Sequence, residues 1–396
     1  MTETVLNALT PTPLAAALAA QALDTGLELV GYRGVFTPQH LDATEAETDA
    51  LLGSAAVHDL GWLRRVAVRG EDRFRWLSGM VTNAVDTLAE NSGAYNLILN
   101  AQGRIQGDVH VWRALDAQKD TLELEFAADQ IEALMAHLDH FIIMDDVELM
   151  PLSDLTALGV SGPRAETVLS ALGLPAPTEE FSGLAGELDG VAIRVERGYG
   201  PITPHFLLWV AADSVLSVWQ KIVEAGAKPV GAAAIETLRI VEGIPAYGID
   251  IQSRDLAQET SQMRALSFTK GCYLGQEIVE RIRSRGQVHR HLRSLEIIPD
   301  NAAPDKTDND PPSPGAELQL AGKPVGTLTS VAALSGVTAL QQHGTQPSGA
   351  RRIFAIGMIR AEAEIAKEPL RYAGGTVKIL NVPLDLRGIT TAEKNV

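Results

Sequence analysis

The side chain best equipped for covalent or ligand chemistry is Cys272, the one cysteine among 396 residues. It sits in the run Lys270-Gly271-Cys272-Tyr273-Leu274-Gly275-Gln276-Glu277. Sulfur attacks and ligates as the thiolate. A basic neighbour such as Lys270, and the positive end of a helix that follows, both favour that form. The opposite reading is a small buried apolar side chain, since free cysteine is among the most buried residue types. A single thiol excludes an intrachain disulfide, a zinc ribbon and a complete iron–sulfur cluster held by one copy. It is enough for a redox-reactive thiol, or for one ligand offered at an interface.

Asp108 is the carboxylate candidate. Asn100-Ala101-Gln102-Gly103 reads as a hairpin turn and Ile105–Trp112 as the returning strand. Alternation puts Arg104, Gln106 and Asp108 on one face, with Ile105, Gly107, Val109 and Val111 on the other. A carboxylate so placed holds a basic ring nitrogen or an amino group, or simply pairs with Arg104. Downstream, Arg281, Arg283, Arg285, Arg290 and Arg293 fall within thirteen residues, together with His289 and His291. They read either as a cationic rim for an anionic ligand or as a solvated face balanced by Glu277 and Glu280.

The surrounding composition narrows the function. With 33 Lys+Arg against 50 Asp+Glu, the formal charge of −17 argues against general nucleic-acid binding, which needs a dense cationic surface. The chain holds no G-x-G-x-x-G after a strand, no G-x-x-x-x-G-K-[ST], no H-E-x-x-H and no G-x-S-x-G. The histidines have no metal-ligand spacing supported by cysteine, so no metal held by this chain alone is expected. No apolar run approaches the ~18–20 residues of a membrane span. The alanine-rich stretch Leu14–Leu23 lacks the cationic flank of a signal peptide, so a cytoplasmic location is expected.

These residues need a framework of the right size. A length of 396 residues suggests two or three domains. Residues 12–23 and 43–52 read as helices. Ala56–Val68 reads as strand, turn, strand, and Asp72–Met80 as a helix. The strands Tyr95–Leu99, Ile105–Trp112 and Leu122–Ala127 then precede a helix over Asp129–His140. That order is the split βαβ pattern of a ferredoxin-like sandwich. It recurs as strand Leu155–Ser161, helix Pro163–Leu172, strands Val191–Val195 and Phe206–Val210, and helices Ser214–Ala225 and Ala232–Glu242. After Gly286 come five short strands with turn signals, the mark of a small barrel. Pro299–Gly315 and Ser335–Arg352 read as polar surface loops.

Taken together, these stretches resemble the YgfZ branch of the glycine-cleavage T-protein superfamily. The octapeptide Lys270–Glu277 matches the branch signature K-G-C-Y-x-G-Q-E. Leu238-Arg239-Ile240-Val241-Glu242-Gly243-Ile244-Pro245 with Tyr247-Gly248-Ile249-Asp250 resembles the superfamily run L-R-x-E-x-G-x-P-x-Y-G-x-D. The block from Val57-His58-Asp59-Leu60 to Thr82-Asn83, and the turn Asn100–Gly103, resemble its N-terminal part. Three departures separate the chain from transferases of the superfamily. Their paired Asp-Asp after the hairpin is Gly107-Asp108 here. Their G-Y-T-G-E-x-G-x-E run is Gly198-Tyr199-Gly200-Pro201-Ile202-Thr203-Pro204-His205. Ile235 stands where an arginine precedes the L-R run.

The resemblance implies an α+β, three-domain T-protein-like ring around a channel for tetrahydrofolate. It would comprise two ferredoxin-like α/β sandwich domains and a C-terminal β-barrel. The expected division is 1–64 with 155–240 for the first, discontinuous domain and 65–154 for the second. A connecting segment, 241–286, carries the cysteine motif, and 287–396 forms the barrel. The function implied is a folate-binding accessory protein for iron–sulfur cluster assembly or repair, with client or assembly proteins as partners. The alternative is a tetrahydrofolate-dependent aminomethyltransferase, and enzyme activity stays open between the two. In this reading Cys272, Lys270 and Asp108 carry the chemistry, and Asn100, Asp108, Tyr199 and Arg239 hold the folate.

Overall fold

A computed structural model describes residues 9–21, 26–116, 119–286, 288–300, 311–334 and 351–381. The loop expected over Pro299–Gly315 and the excursion over Ser335–Arg352 fall largely outside these residues, as do the last two residues of the helix expected over 12–23.

A six-stranded sheet forms from segments far apart in sequence. Its order is Gly183–Leu188, Val191–Arg197, His205–Ala211, Leu155–Ser161, Ala56–Asp59 and Lys228–Val230. Every pairing is antiparallel except the last, where Lys228–Val230 runs parallel to Ala56–His58. The helix Val215–Glu224 packs on it through Val215, Val218, Trp219 and Ile222, a stripe at helical spacing. Gly226, at φ +103, takes the left-handed turn that ends this helix.

A second, five-stranded antiparallel sheet has the order Ser92–Leu99, Ile105–Asp116, Lys119–Ala127, Leu63–Arg69 and Glu148–Pro151. Gly107, Val109 and Val111 are buried on one face, against Leu134 and Leu138 of the helix Ile131–Asp139. Ile105, expected on that face, packs on the other with Tyr95, Leu97 and Leu99, because a bulge shifts the register between Ile98 and Leu99. Asp108 and His110 therefore face the other way.

The C-terminal part is a closed six-stranded barrel. Its strands are Arg290–Pro299, Arg352–Arg360, Lys323–Leu334, Glu317–Leu320, Leu370–Tyr372 and Gly375–Ile379. Closure removes the exposed edges that a sheet of such short strands would otherwise offer.

The two sheets and the barrel are joined by two kinds of contact. One apolar core is shared by Tyr95, Leu97 and Leu99 of the second sheet, Ile240 and Val241 of the helix Ala232–Glu242, Tyr273 and Val279 near the cysteine motif, and Leu292 and Phe354 of the barrel. The other is ionic. Arg65, on the second sheet, donates to Glu123 and Glu125, each at 2.7 Å, and pairs with Glu196 of the first sheet. Its guanidinium lies over Trp112 at 5.3 Å and Trp209 at 4.4 Å. The Arg65 charge holds the Glu125 carboxyl down at about 2 despite its burial.

Candidate functional site

Where the two sheets meet the helix Ala232–Glu242 lies a cavity of about 250 Å³. Aromatic and aliphatic side chains form much of its wall, among them Trp62, Tyr95, Phe181, Tyr199, Ile235 and Leu238. Three sets of polar side chains in that wall stand out.

Asp108 is one of them. The side chain of Gln130 grips it twice: Nε2 donates to Asp108 Oδ1 at 2.8 Å, and Oε1 accepts from the Asp108 backbone N–H at 3.1 Å. The Tyr95 hydroxyl donates to Asp108 Oδ2 at 3.0 Å. Burial and the facing Asp108 raise Tyr95 well above a phenol's usual range, so it stays a donor. Asp108 is thereby fixed in orientation while keeping spare acceptor capacity.

Arg264 is the second. Its guanidinium lies 3.6 Å from the Tyr199 ring centroid and 4.9 Å from that of Tyr95. Its Nε and Nη1 are buried and have no hydrogen-bond partner among the described residues. Burial lowers its pKa from the ordinary arginine value, which still leaves a cation. A buried guanidinium with idle donors is costly unless a ligand completes it.

The third is a chain of four side chains along the wall: His58, Ser161, His205 and Glu242. His58 Nε2 lies 2.9 Å from Ser161 Oγ, Ser161 Oγ lies 2.8 Å from His205 Nδ1, and His205 Nε2 lies 2.8 Å from Glu242 Oε2. Glu242 ends the helix Ala232–Glu242, where Gly243 turns the chain left-handed at φ +69. Gly159 permits the His58 ring its place, because a Cβ there would come within 1.9 Å of His58 Cε1.

The other candidates from the sequence lie differently. Tyr199 lines the cavity and stacks on Arg264. Arg239 borders it, but its guanidinium is engaged by Glu236, Asp250, the Ile244 carbonyl and Ser330 of the barrel. Asn100 is outside the lining; its Oδ1 accepts from the backbone N–H of Gln102 and Arg104, both at 3.0 Å, and so fixes the hairpin turn. Gly275 packs on that turn: at φ +82, a Cβ there would sit 2.6 Å from the Asn100 carbonyl oxygen.

Cys272 is exposed and is not part of the cavity lining. Lys270 Nζ donates to three backbone carbonyls, those of Ser78 (2.7 Å), Val81 (2.6 Å) and Asn83 (2.8 Å). Its ammonium thus ties the motif to the end of the helix Arg73–Met80. In the arginine cluster, Arg290 pairs with Asp255 and Glu259, and Arg293 with Glu364. Arg281 and Arg285 are exposed on the helix Gln276–Arg285.

Sequence reasoning passed over Tyr95, Gln130, Arg264 and the four-residue chain. Arg264 lies six residues before Lys270 in no recognisable pattern. The members of the chain come from four elements and meet only in the folded protein. A pairing signal existed for two of them, since Ser161 and His205 are direct cross-strand neighbours.

The family comparison matches the GCVT N-terminal domain over residues 30–270. The chain belongs to this family. A putative chloroplastic transferase of Arabidopsis thaliana is 26% identical over 296 residues, covering 74% of this chain and 65% of that protein. An aminomethyltransferase of Halalkalibacterium halodurans is 24% identical over 380 residues, covering 92% of this chain and 95% of its relative. The crystal structure of glycine cleavage system aminomethyltransferase T from Bartonella henselae superposes with a TM-score of 0.78 at 18% identity. The match covers 95% of this chain and 98% of that one. The fold is thus the α+β T-protein architecture with its terminal barrel. Among the described residues no helix is long and apolar enough to cross a membrane, and no three His, Cys, Asp or Glu side chains cluster to hold a metal ion.

Proposed function

We propose that the chain is a cytoplasmic tetrahydrofolate-binding accessory protein for iron–sulfur cluster assembly or repair. The observation that carries the folate part is the pairing, on one aromatic-lined wall, of a fixed carboxylate, Asp108, with the idle guanidinium donors of Arg264. A reduced pterin has an edge of amino and ring N–H donors beside a carbonyl acceptor. Asp108 would take the donors and Arg264, held against Tyr95 and Tyr199, the carbonyl. The cavity volume of about 250 Å³ is near the low end of small-molecule sites, which run to ~300–1,000 Å³. It suits a bicyclic head group, with the benzoyl-glutamate part extending outward. Bound tetrahydrofolate supplies a carrier for one-carbon units; the protein's own part is to orient the head group and exclude water from it.

The exposed Cys272 supports the accessory role. A thiol on the surface offers one ligand or one redox-active sulfur to a client protein. Isothermal titration with folinic acid should give a saturable signal. D108N should weaken it about tenfold or more, the scale of one hydrogen bond to a charged group. C272S should bind folinic acid as the wild type does and fail to complement cells deficient in cluster maturation. No heat, or full complementation by C272S, would contradict the respective half of the proposal.

Aminomethyl transfer is the second reading, favoured by Asp108 keeping a carboxylate on the cavity wall. Formation of methylenetetrahydrofolate from an aminomethyl-lipoyl donor and tetrahydrofolate, lost in D108N, would establish it instead.

A further inference from the structure

The run of arginines from Arg281 to Arg293 divides in the folded protein. Arg290 and Arg293 are tied to carboxylates. Arg283 pairs with Glu280 at 3.4 Å, and its guanidinium lies 4.5 Å from the Phe268 ring centroid. Arg281 and Arg285 are left exposed, one turn apart on the helix Gln276–Arg285. Two arginines from distant segments join them. The hairpin turn after Asn100 packs on this helix, since a Cβ at Gly103 would come within 2.7 Å of Ile278 Cβ. Ile278, Arg281 and Arg285 share one helical face, so Arg104, the residue after Gly103, adjoins that face. Arg104 Nη1 donates to the Arg254 carbonyl, and the backbone of Arg104 bridges to Leu256. Arg104 and Arg254 are exposed as well. Among the described residues none of these four guanidiniums is in an ion pair, and the carboxylates of Glu280, Asp255 and Glu259 are engaged by Arg283 and Arg290. Exposed Glu277, at the start of the helix, is one negative charge set against four positive ones. Like charges at the spacing of Arg281 and Arg285 repel, so the face adds nothing to the stability of the fold.

We propose that Arg104, Arg254, Arg281 and Arg285 form a docking face for a protein partner that presents clustered Asp and Glu carboxylates. Guanidinium forks bind carboxylates through paired hydrogen bonds. On a chain of charge −17, a single cationic face admits an acidic patch in one orientation and so fixes how the partner sits. A long polyanion such as a nucleic acid runs past the face and meets the acidic remainder of the molecule. The exposed Cys272 lies beside the face, because Gly275, three residues further on, packs on the same hairpin turn at the Asn100 carbonyl. Docking there brings the partner's surface to the thiol. The inference rests on the accessory reading for what the partner is, a client or assembly protein; the face and its preference for carboxylates stand without it.

The experiment uses the chain's one cysteine as the reporter, in the full chain. The probes are a polyglutamate peptide ending in a cysteine activated as its pyridyl disulfide, and a glycine–serine peptide activated in the same way. The Cys272 thiolate attacks the peptide's sulfur, forms the mixed disulfide and expels pyridine-2-thione, whose absorbance gives the rate. At about 0.01 M salt, where charges act over ~30 Å, the acidic peptide should react about fivefold faster than the neutral one or more. At about 1 M salt, where the range falls to ~3 Å, the two rates should converge. R281K/R285K should keep the preference and R281Q/R285Q should lose most of it, while both bind folinic acid and unfold in urea as the wild type does. Equal rates for the two peptides at low salt, or a preference that survives in R281Q/R285Q, would overturn the inference. So would an oligothymidylate that blocks the acidic peptide at lower concentration than free polyglutamate, since the face would then be one for nucleic acid. If C272S complements cells deficient in cluster maturation, the accessory reading fails, and the peptide rates of the wild type and R281Q/R285Q still decide the face.

Discussion

At the scale of single residues, the site combines groups held firmly with groups left unfinished. Asp108 is gripped by Gln130 and Tyr95, whereas Arg264 and His58 each bring buried nitrogens without partners. His58 also carries a signature in stability. Its pKa falls from an ordinary 6.5 to about 3 because burial penalises the imidazolium and His205 adds to the effect. Between those values the unfolded chain binds a proton that the folded chain does not. The contribution of His58 is therefore complete above about pH 6.5 and is lost as pH falls towards 3, at no more than about 1.4 kcal/mol per pH unit. Urea unfolding at pH 7.5 and 5.5 should show a smaller loss of stability for H58N than for the wild type. Equal losses would mean that His58 is protonated in the folded state.

At the scale of elements, much was legible in advance. The strand Leu155–Ser161 and the helix Ala232–Glu242 have the limits that apolar periodicity gave them. The alternation from Gly107 to Trp112 correctly turned Asp108 away from the helix-covered face, but it misplaced Ile105, because the bulge that flips it depends on the partner strand. Short segments escaped: Glu148–Pro151, Gly183–Leu188, Lys228–Val230 and Leu370–Tyr372 are strands with little periodicity of their own, ordered by the sheets they join. The motif Lys270–Glu277 was visible as a signature, but the task of its lysine was not, since the three carbonyls it binds lie nearly two hundred residues away. Burial lowers the Lys270 pKa to about 8, so the ammonium and its three donors persist at neutral pH. K270M would leave three carbonyls short of a partner. It should cost about 2–4 kcal/mol in urea unfolding and speed hydrogen exchange across 268–275. A variant as stable as the wild type would show that the tether contributes nothing.

At the scale of the whole molecule, the cavity exists because two sheets and the helix Ala232–Glu242 are fixed against one another. Arg65 closes one side by joining carboxylates of both sheets between two tryptophan rings. Breaking such a buried ion pair strands the charges that remain, at a cost of about 3–5 kcal/mol, so R65M should unfold at a markedly lower urea concentration. A stable R65M that still binds folinic acid would show that the sheets are held by their apolar contacts alone. The three-part architecture could be read from the order of strands and helices, together with family resemblance. The wall of the cavity could not, because its residues converge from positions as far apart as Tyr32 and Arg264. The account as a whole stands on that cavity being a pterin site. The most direct test is a crystal of the full chain soaked with a reduced folate. The predicted result is density for a bicyclic ring in the cavity, with its donor edge on Asp108 and its carbonyl on Arg264. A cavity without ligand density at saturating folate, or a folate bound elsewhere on the surface, would contradict it.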